Sequence, residues 1–245
     1  MSTLHTLSAQ HLCKSYGGRK VVHDTSIVVR SGEVVGLLGP NGAGKTTTFY
    51  MCVGLVAPEQ GDVFLDEMNI TRTPMYERAR LGVGYLPQEP SIFRKLSVRD
   101  NVMAILESVA FPSAAERTAR LHELLDELGL THIASSMASS LSGGERRRLE
   151  ITRALARSPH FMLLDEPFAG IDPLAIRDIR DMVSTLRRKG IGILITDHNV
   201  RETLKICDRA YIMVDGRILE EGAPDDIASS ERAQRYYLGD DFVLL

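Results

Sequence analysis

The chain has 245 residues, with 29 Lys and Arg against 32 Asp and Glu, for a formal net charge of -3. That length allows one large α/β domain or two small ones, either able to bury a core, and the slight acidic excess offers no global attraction to nucleic acid or anionic lipid. Cys13, Cys52 and Cys207 are odd in number and widely spaced, which suits neither a disulfide framework nor a metal cluster, so each is expected as a small buried apolar residue in a reducing compartment. No uninterrupted apolar run approaches the ~20 residues of a membrane helix, and the N-terminus lacks a charged segment followed by an apolar one. The expected location is the cytoplasm, with any membrane association made through partners.

Short alternating pieces at 4–12, 20–22 and 26–30, punctuated by Gly17-Gly18 and Ser31-Gly32, predict a small, largely antiparallel β layer. Tyr16 beside the first of these turns is either a partly buried anchor or an exposed stacking surface. Next, Val34-Val35-Gly36-Leu37-Leu38 has the apolar character of a buried strand, and Thr47 to Leu55 has the length and composition of a helix. Between them Gly39-Pro40-Asn41-Gly42-Ala43-Gly44-Lys45-Thr46 is a full G-x-x-x-x-G-K-T phosphate loop in its required strand–loop–helix context. Glycines at 39, 42 and 44 let successive N–H groups turn inward, making with the helix N-terminus a concave donor site for the phosphates of ATP. Lys45 reaches the β- and γ-phosphates, the Thr46 hydroxyl takes a magnesium position, and Thr47 completes the nucleotide contacts.

Strands are predicted at 61–65 and 81–86, the second ending at Pro87-Gln88-Glu89-Pro90, where proline on both sides stops regular structure. Gln88 is therefore a solvated loop residue or, because strand ends of open α/β sheets face the ligand crevice, part of the site. From Ser97 to about Met137 helical periodicity takes over. Val98, Val102 and Ile105-Leu106 share one face, as do Leu121, Leu124-Leu125 and Leu128, with Pro112 and Ser113 separating two helices and Gly129 ending the second. Leu141-Ser142-Gly143-Gly144-Glu145 then leads into a helix over roughly 146–157. Ser142 and Glu145 make a capping box. The two glycines between them cost roughly 1 kcal/mol per helical site relative to alanine, so Ser142, Gly143 and Gly144 are read as a second anion contact, remote in sequence from the first. Arg146-Arg147-Arg148, flanked by Glu145 and Glu150, is expected as a solvated, salt-bridged helix face.

Phe161-Met162-Leu163-Leu164 predicts a buried strand with Asp165-Glu166 at its carboxyl end. Two carboxylates there are costly unless they hold a cation or activate water. Asp165 is assigned to magnesium and Glu166 to polarising the water that attacks the γ-phosphate. The following helix has a start signal at Asp172-Pro173. A last core strand, 191–195, runs into Thr196-Asp197-His198, where His198 is either a surface residue or a γ-phosphate contact. A hairpin over 210–220 and a tail of short helix and loop from Pro224 close the chain.

Together these motifs resemble the ATP-binding subunits of ABC transporters, most specifically through Leu141-Ser142-Gly143-Gly144-Glu145 lying between a phosphate loop and Asp165-Glu166. The resemblance implies a P-loop NTPase (RecA-like) α/β core sheet at 1–96 and 155–222, an N-terminal antiparallel β subdomain, an inserted α-helical subdomain at 97–154 and a tail at 223–245. It also implies that Tyr16 stacks on adenine, that Gln88 contacts magnesium or the attacking water, and that His198 is the switch histidine. Ala169-Gly170-Ile171-Asp172 resembles the D-loop, although the family more often carries Ala-Leu-Asp at its end. A head-to-tail homodimer is implied, each ATP lying between one phosphate loop and the partner's signature helix.

Two stretches, 85–97 and 237–242, resemble the lipopolysaccharide-export members of the family, with Pro90 where a small residue is usual. By that resemblance Phe93 and Arg94 line the groove that receives membrane-spanning subunits. Branched-chain amino acid import is the near alternative. A soluble ATPase of DNA repair or translation is less expected, because the chain has neither a long coiled coil nor a second ATPase core.

Overall fold

The computed structural model describes residues 4–169, 173–239 and 242–244; the D-loop residues Gly170, Ile171 and Asp172 and the tail pair Asp240-Asp241 lie outside the described residues. The architecture is α/β. One sheet is antiparallel and four-stranded: β1 (Thr6–Tyr16), β2 (Arg19–Arg30), β4 (Gln60–Leu65) and β5 (Met68–Asn69), in the order β2-β1-β4-β5. The second has six strands: β3 (Val34–Leu38), β6 (Val83–Leu86), β7 (Phe161–Asp165), β8 (Gly192–Thr196), β9 (Arg209–Val214) and β10 (Arg217–Gly222). Its order is β10-β9-β3-β8-β7-β6, parallel from β9 to β6, with β10 closing the edge as the antiparallel arm of a hairpin.

Every residue of β3, β7 and β8 is buried. Parallel strands covered on both faces need apolar side chains on both, which is why their sequences run apolar rather than alternating. In-register pairing, Val35 with Leu194 and Leu163 with Leu194, aligns the carboxyl ends of β3, β6, β7 and β8 along one edge. The residues just beyond that edge are Gly39, Gln88, Glu166 and His198.

Helix α1 (Lys45–Val53) packs Phe49, Met51 and Val53 between the two sheets, against Leu7, Val29, Leu37 and Leu163. The opposite face of the core sheet is covered by α3 (Val98–Leu106), α4 (Ala114–Glu127), α5 (Gly143–Leu155) and α6 (Pro173–Arg188), through Val102, Leu124, Leu149 and Val183. Between β5 and β6 lies α2 (Met75–Arg80), a helix that the sequence pattern does not announce. Its Arg78 is 1% exposed and donates to the carbonyls of Met51, Cys52, Thr71 and Thr73, closing the C-terminal end of α1 with a buried cation.

Three expectations are corrected. The separate β pieces of the N-terminal layer are two long strands, whose alternation is broken by irregularities where His11 and Asp24 take positive φ angles of 53° and 59°. Helix α5 starts at Gly143 instead of Arg146, because the Ser142–Glu145 capping box sets its first turn. Arg147 is not on a solvated face: it is 8% exposed and paired with Glu150, itself 4% exposed. All three cysteines are buried. Among the described residues no helix is long and apolar enough to cross a membrane.

Candidate active site

The phosphate loop is shaped by close approach. A Cβ at Gly39 (φ 149°) would lie 2.0 Å from Met213 O, and one at Gly44 (φ 97°) 2.5 Å from Val21 O, so neither position can carry a side chain. No side chain caps the N-terminus of α1, which leaves its first N–H groups free for an anion. Lys45 Nζ reaches back across the loop and donates to Gly39 O at 2.7 Å and Pro40 O at 2.9 Å. Burial pulls the Lys45 pKa down, and the nearby Glu166 charge opposes that shift. Thr46, in the first helical turn, is exposed, as are Asn41 and Gly42 of the loop.

At the adjoining strand ends, Glu166 takes φ 44° and its N–H donates to Thr196 O at 2.7 Å, which turns the side chain out of β7 toward its neighbours. Gln88 Nε2 donates to Glu166 Oε2 at 3.0 Å, and His198 Nδ1 lies 3.4 Å from that same oxygen. Two side chains, from the ends of β6 and β8, thus converge on the carboxylate at the end of β7. Asp197, fully buried, accepts from Phe168 N–H at 2.8 Å and Asn199 N–H at 2.7 Å, tying the loop after β7 to the loop after β8. Burial raises the Asp197 pKa, against those two N–H donors.

Asp165, 3% exposed, accepts from Tyr85 OH at 3.3 Å, and burial, followed by the Asp165 charge, raises the pKa of the nearby Tyr50 phenol. Burial raises the Asp165 pKa, while both phenols favour the ionised form. Among the described residues no three His, Cys, Asp or Glu are arranged as a metal site by themselves. A cation here would draw on Thr46 hydroxyl, Asp165 carboxylate and Gln88 Oε1, the amide oxygen left over once Nε2 is given to Glu166. That all-oxygen donor set, completed by nucleotide phosphates, fits magnesium.

Tyr16, 49% exposed, carries Lys14 Nζ 5.5 Å from its ring centroid. It pairs across the β1–β2 turn with Arg19, which lines a cavity of about 280 Å³ together with Lys20, His23, Gly42 and Asp215. Arg19 thus links Tyr16 to the cavity that Gly42 of the loop also lines. Sequence reasoning missed the tail here. Tyr237 lies near the Gly39 backbone and its phenol is pushed up to about 12 by burial, while Leu238 and Phe242 pack on Leu38 and Ile212, with Arg201 of α7 (Val200–Leu204) 5.4 Å over the Phe242 ring.

Ser142, Gly143 and Gly144 stand apart from the phosphate loop. Gly143 lines a cavity of about 140 Å³ with Gln88, Arg146 and Glu166, and no residue of 39–46 borders it. The remainder of α5 grips the segment after Gln88 with residues three apart, which share a helix face. Arg147 donates to Pro87 O at 3.1 Å and Glu150 Oε2 at 3.0 Å; Glu150 Oε1 accepts from Ser91 N–H at 2.9 Å; Arg153 donates to Ser91 O and sits 4.3 Å over the Phe93 ring. Fully buried Asn101 holds Phe93 from the other side, accepting its N–H at 2.8 Å and donating to its carbonyl at 3.0 Å. Phe93 is left 45% exposed and Arg94 is exposed beside it.

The profile of the family described as ABC transporter matches residues 22–169. Over 238 residues the chain is 59% identical to the lipopolysaccharide export system ATP-binding protein LptB of Acidithiobacillus ferridurans, covering 97% of this chain and 98% of that protein. It is 56% identical over 239 residues to the LptB of Escherichia coli K12, covering 98% and 99%. Among solved structures, the ADP conformation of MJ1267, an ATP-binding cassette of an ABC transporter, superposes with a TM-score of 0.85 at 29% identity, covering 97% of this chain and all of that one. CbiO1 of Clostridium perfringens, part of an ABC transporter complex, follows at 0.84 and 27%, covering 94% and 92%.

Proposed function

Because the chain belongs to the ABC transporter ATP-binding family, we propose that its ATP hydrolysis drives lipopolysaccharide export, as the names of its LptB relatives say of them. The observation that carries the catalytic part is the meeting of Gln88 and His198 on the outward-turned Glu166 carboxylate, two strands from the phosphate loop with β8 between. The loop N–H groups and Lys45 bind the phosphates of ATP, and Tyr16 stacks on its base. Thr46, Asp165 and Gln88 would hold magnesium, which would supply neutralisation of the phosphate charge. Glu166 accepts a hydrogen bond from the attacking water and polarises it, Gln88 fixes the carboxylate that does so, and His198 reports on the γ-phosphate.

The domain division is read as 1–96 with 155–222 for the nucleotide core, 97–154 for the helical insert and 223–245 for the tail. Two chains dimerise head to tail, Ser142, Gly143 and Gly144 of one closing over the phosphate loop of the other. Membrane-spanning subunits seat near Phe93 and Arg94 and bring the chain to the cytoplasmic face of the inner membrane. Arg147, Glu150 and Arg153 then carry their motion to Gln88 on one side and to the head of α5 on the other, a rigid-body coupling through one helix.

The test is copurification from a host expressing candidate membrane subunits, with ATPase assayed in the recovered complex. Recovery of lipopolysaccharide-export membrane subunits with ATPase activity supports the reading. Recovery of a branched-chain amino acid permease pair in their place overturns it.

A further inference from the structure

Asp165 is almost fully buried, and no Lys, Arg or His among the described residues donates a hydrogen bond to it; its side-chain donor is the Tyr85 phenol, with the Tyr50 phenol nearby. Tyr85 comes from β6, the strand paired with β7, and its OH lies 3.3 Å from Asp165 Oδ2. Tyr50 comes from α1, where it stands four residues after Thr46 and so on the same helix face, and its phenol lies near Asp165 and Tyr85, its pKa raised first by burial and then by the Asp165 charge. Both rings pack against Phe49, with centroids 6.3 Å away for Tyr50 and 6.1 Å for Tyr85.

A carboxylate torsion is broad and twofold, so Asp165 alone has no fixed presentation toward a cation. A lysine or arginine partner would fix it but would cancel the charge that the cation needs. Neutral O–H donors orient the group and leave its charge in place. We infer that Tyr50 and Tyr85 are positioning residues for Asp165, holding Oδ2 so that Oδ1 faces the cation, and that Tyr50 sets this carboxylate in register with Thr46 on the same helix. The inference rests on the reading of Asp165 as a magnesium ligand.

Phenylalanine replaces each ring and removes only the hydroxyl, so Tyr50→Phe, Tyr85→Phe and the double variant test the idea in the full chain. Mn²⁺ binding in the presence of ATP is followed by electron paramagnetic resonance, alongside ATP binding in EDTA and thermal melting. Loss of an outer-shell partner typically weakens metal binding about 10–100-fold. Each single variant is expected near the low end of that range and the double variant further down, with ATP binding in EDTA and the melting temperature close to those of the parent. A double variant that binds Mn²⁺ as tightly as the parent overturns the inference, as does weakening matched by an equal loss of ATP binding in EDTA. Asp165→Asn separates the two levels: if it weakens Mn²⁺ and the tyrosine variants do not, the tyrosine role alone falls; if it leaves Mn²⁺ binding unchanged, the ligand reading falls with it.

Discussion

A side chain at Gly39 would meet Met213 O at 2.0 Å and one at Gly44 would meet Val21 O at 2.5 Å, whereas one at Gly143 would meet nothing within 4 Å and one at Gly144 only Asp178 Oδ2 at 3.2 Å. Both stretches place glycine at a helix N-terminus. In the phosphate loop the chain's own backbone demands it. At the head of α5 the chain demands nothing of Gly143, and a helical glycine there still costs roughly 1 kcal/mol relative to alanine. The loop's glycines are required by the chain's own backbone, whereas Gly143 is under no such demand and is open to the partner surface proposed above.

The largest effect that bears on this contrast is expected on the loop side, in the chemistry. Glu166→Gln removes the base that Gln88 and His198 converge on, and should lower turnover by about 10²–10⁴-fold, the range for a lost general base. Nucleotide binding should persist, leaving an ATP-bound dimer on gel filtration; near-normal turnover would remove Glu166 from that role. Next comes the link between the two sides. Arg147→Ala leaves Glu150 buried without its partner, which should cost about 3–5 kcal/mol in urea unfolding. Arg147→Met with Glu150→Leu should recover most of that loss, yet uncouple ATPase activity from the membrane subunits because Pro87 O and Ser91 N–H are no longer held.

The glycines themselves give a smaller and more pointed test. Gly39→Ala combines a strained φ with overpacking, each about 1–3 kcal/mol, and should lower the melting temperature of the isolated chain. Gly143→Ala should leave that temperature unchanged or raise it, by up to about 1 kcal/mol of helix propensity, while weakening ATP-driven dimerisation. Equal destabilisation by the two would erase the contrast. Smallest is Tyr237→Phe, which removes the partly buried phenol hydroxyl near Gly39 and should cost about 1 kcal/mol or less in stability.

Much of this was legible in the chain. Phe161 to Leu164 and Val34 to Leu38 declare buried parallel strands because both faces are apolar, and Asp215-Gly216 declares the last hairpin because both residues take positive φ, 47° and 77°. The residues at those strand ends were therefore placed correctly at the sheet edge. What escaped was set by tertiary partners. Arg78 reads as a surface cation on a short helix until the carbonyls at the end of α1 surround it. Arg147 sits in a triple-arginine run and is buried only because Pro87 O and Glu150 receive it. Tyr50 and Tyr85 look like ordinary core aromatics, although the four-residue step from Thr46 to Tyr50 was a visible sign that they share a helix face. The reach of Tyr237 to Gly39 crosses nearly the whole sequence and has no local signal.

The central claim is that the site is shared between two chains, and mixing two defective variants tests it most directly. Lys45→Ala has a broken loop and an intact signature turn; Gly144→Arg has the reverse. Each is placed in the Glu166→Gln background, and trapped ATP is measured for each alone and after the two are mixed. A shared site predicts that neither variant alone traps ATP and that the mixture does, because each mixed dimer contains one intact loop facing one intact signature turn. No trapped ATP in a mixture that demonstrably forms mixed dimers would contradict it.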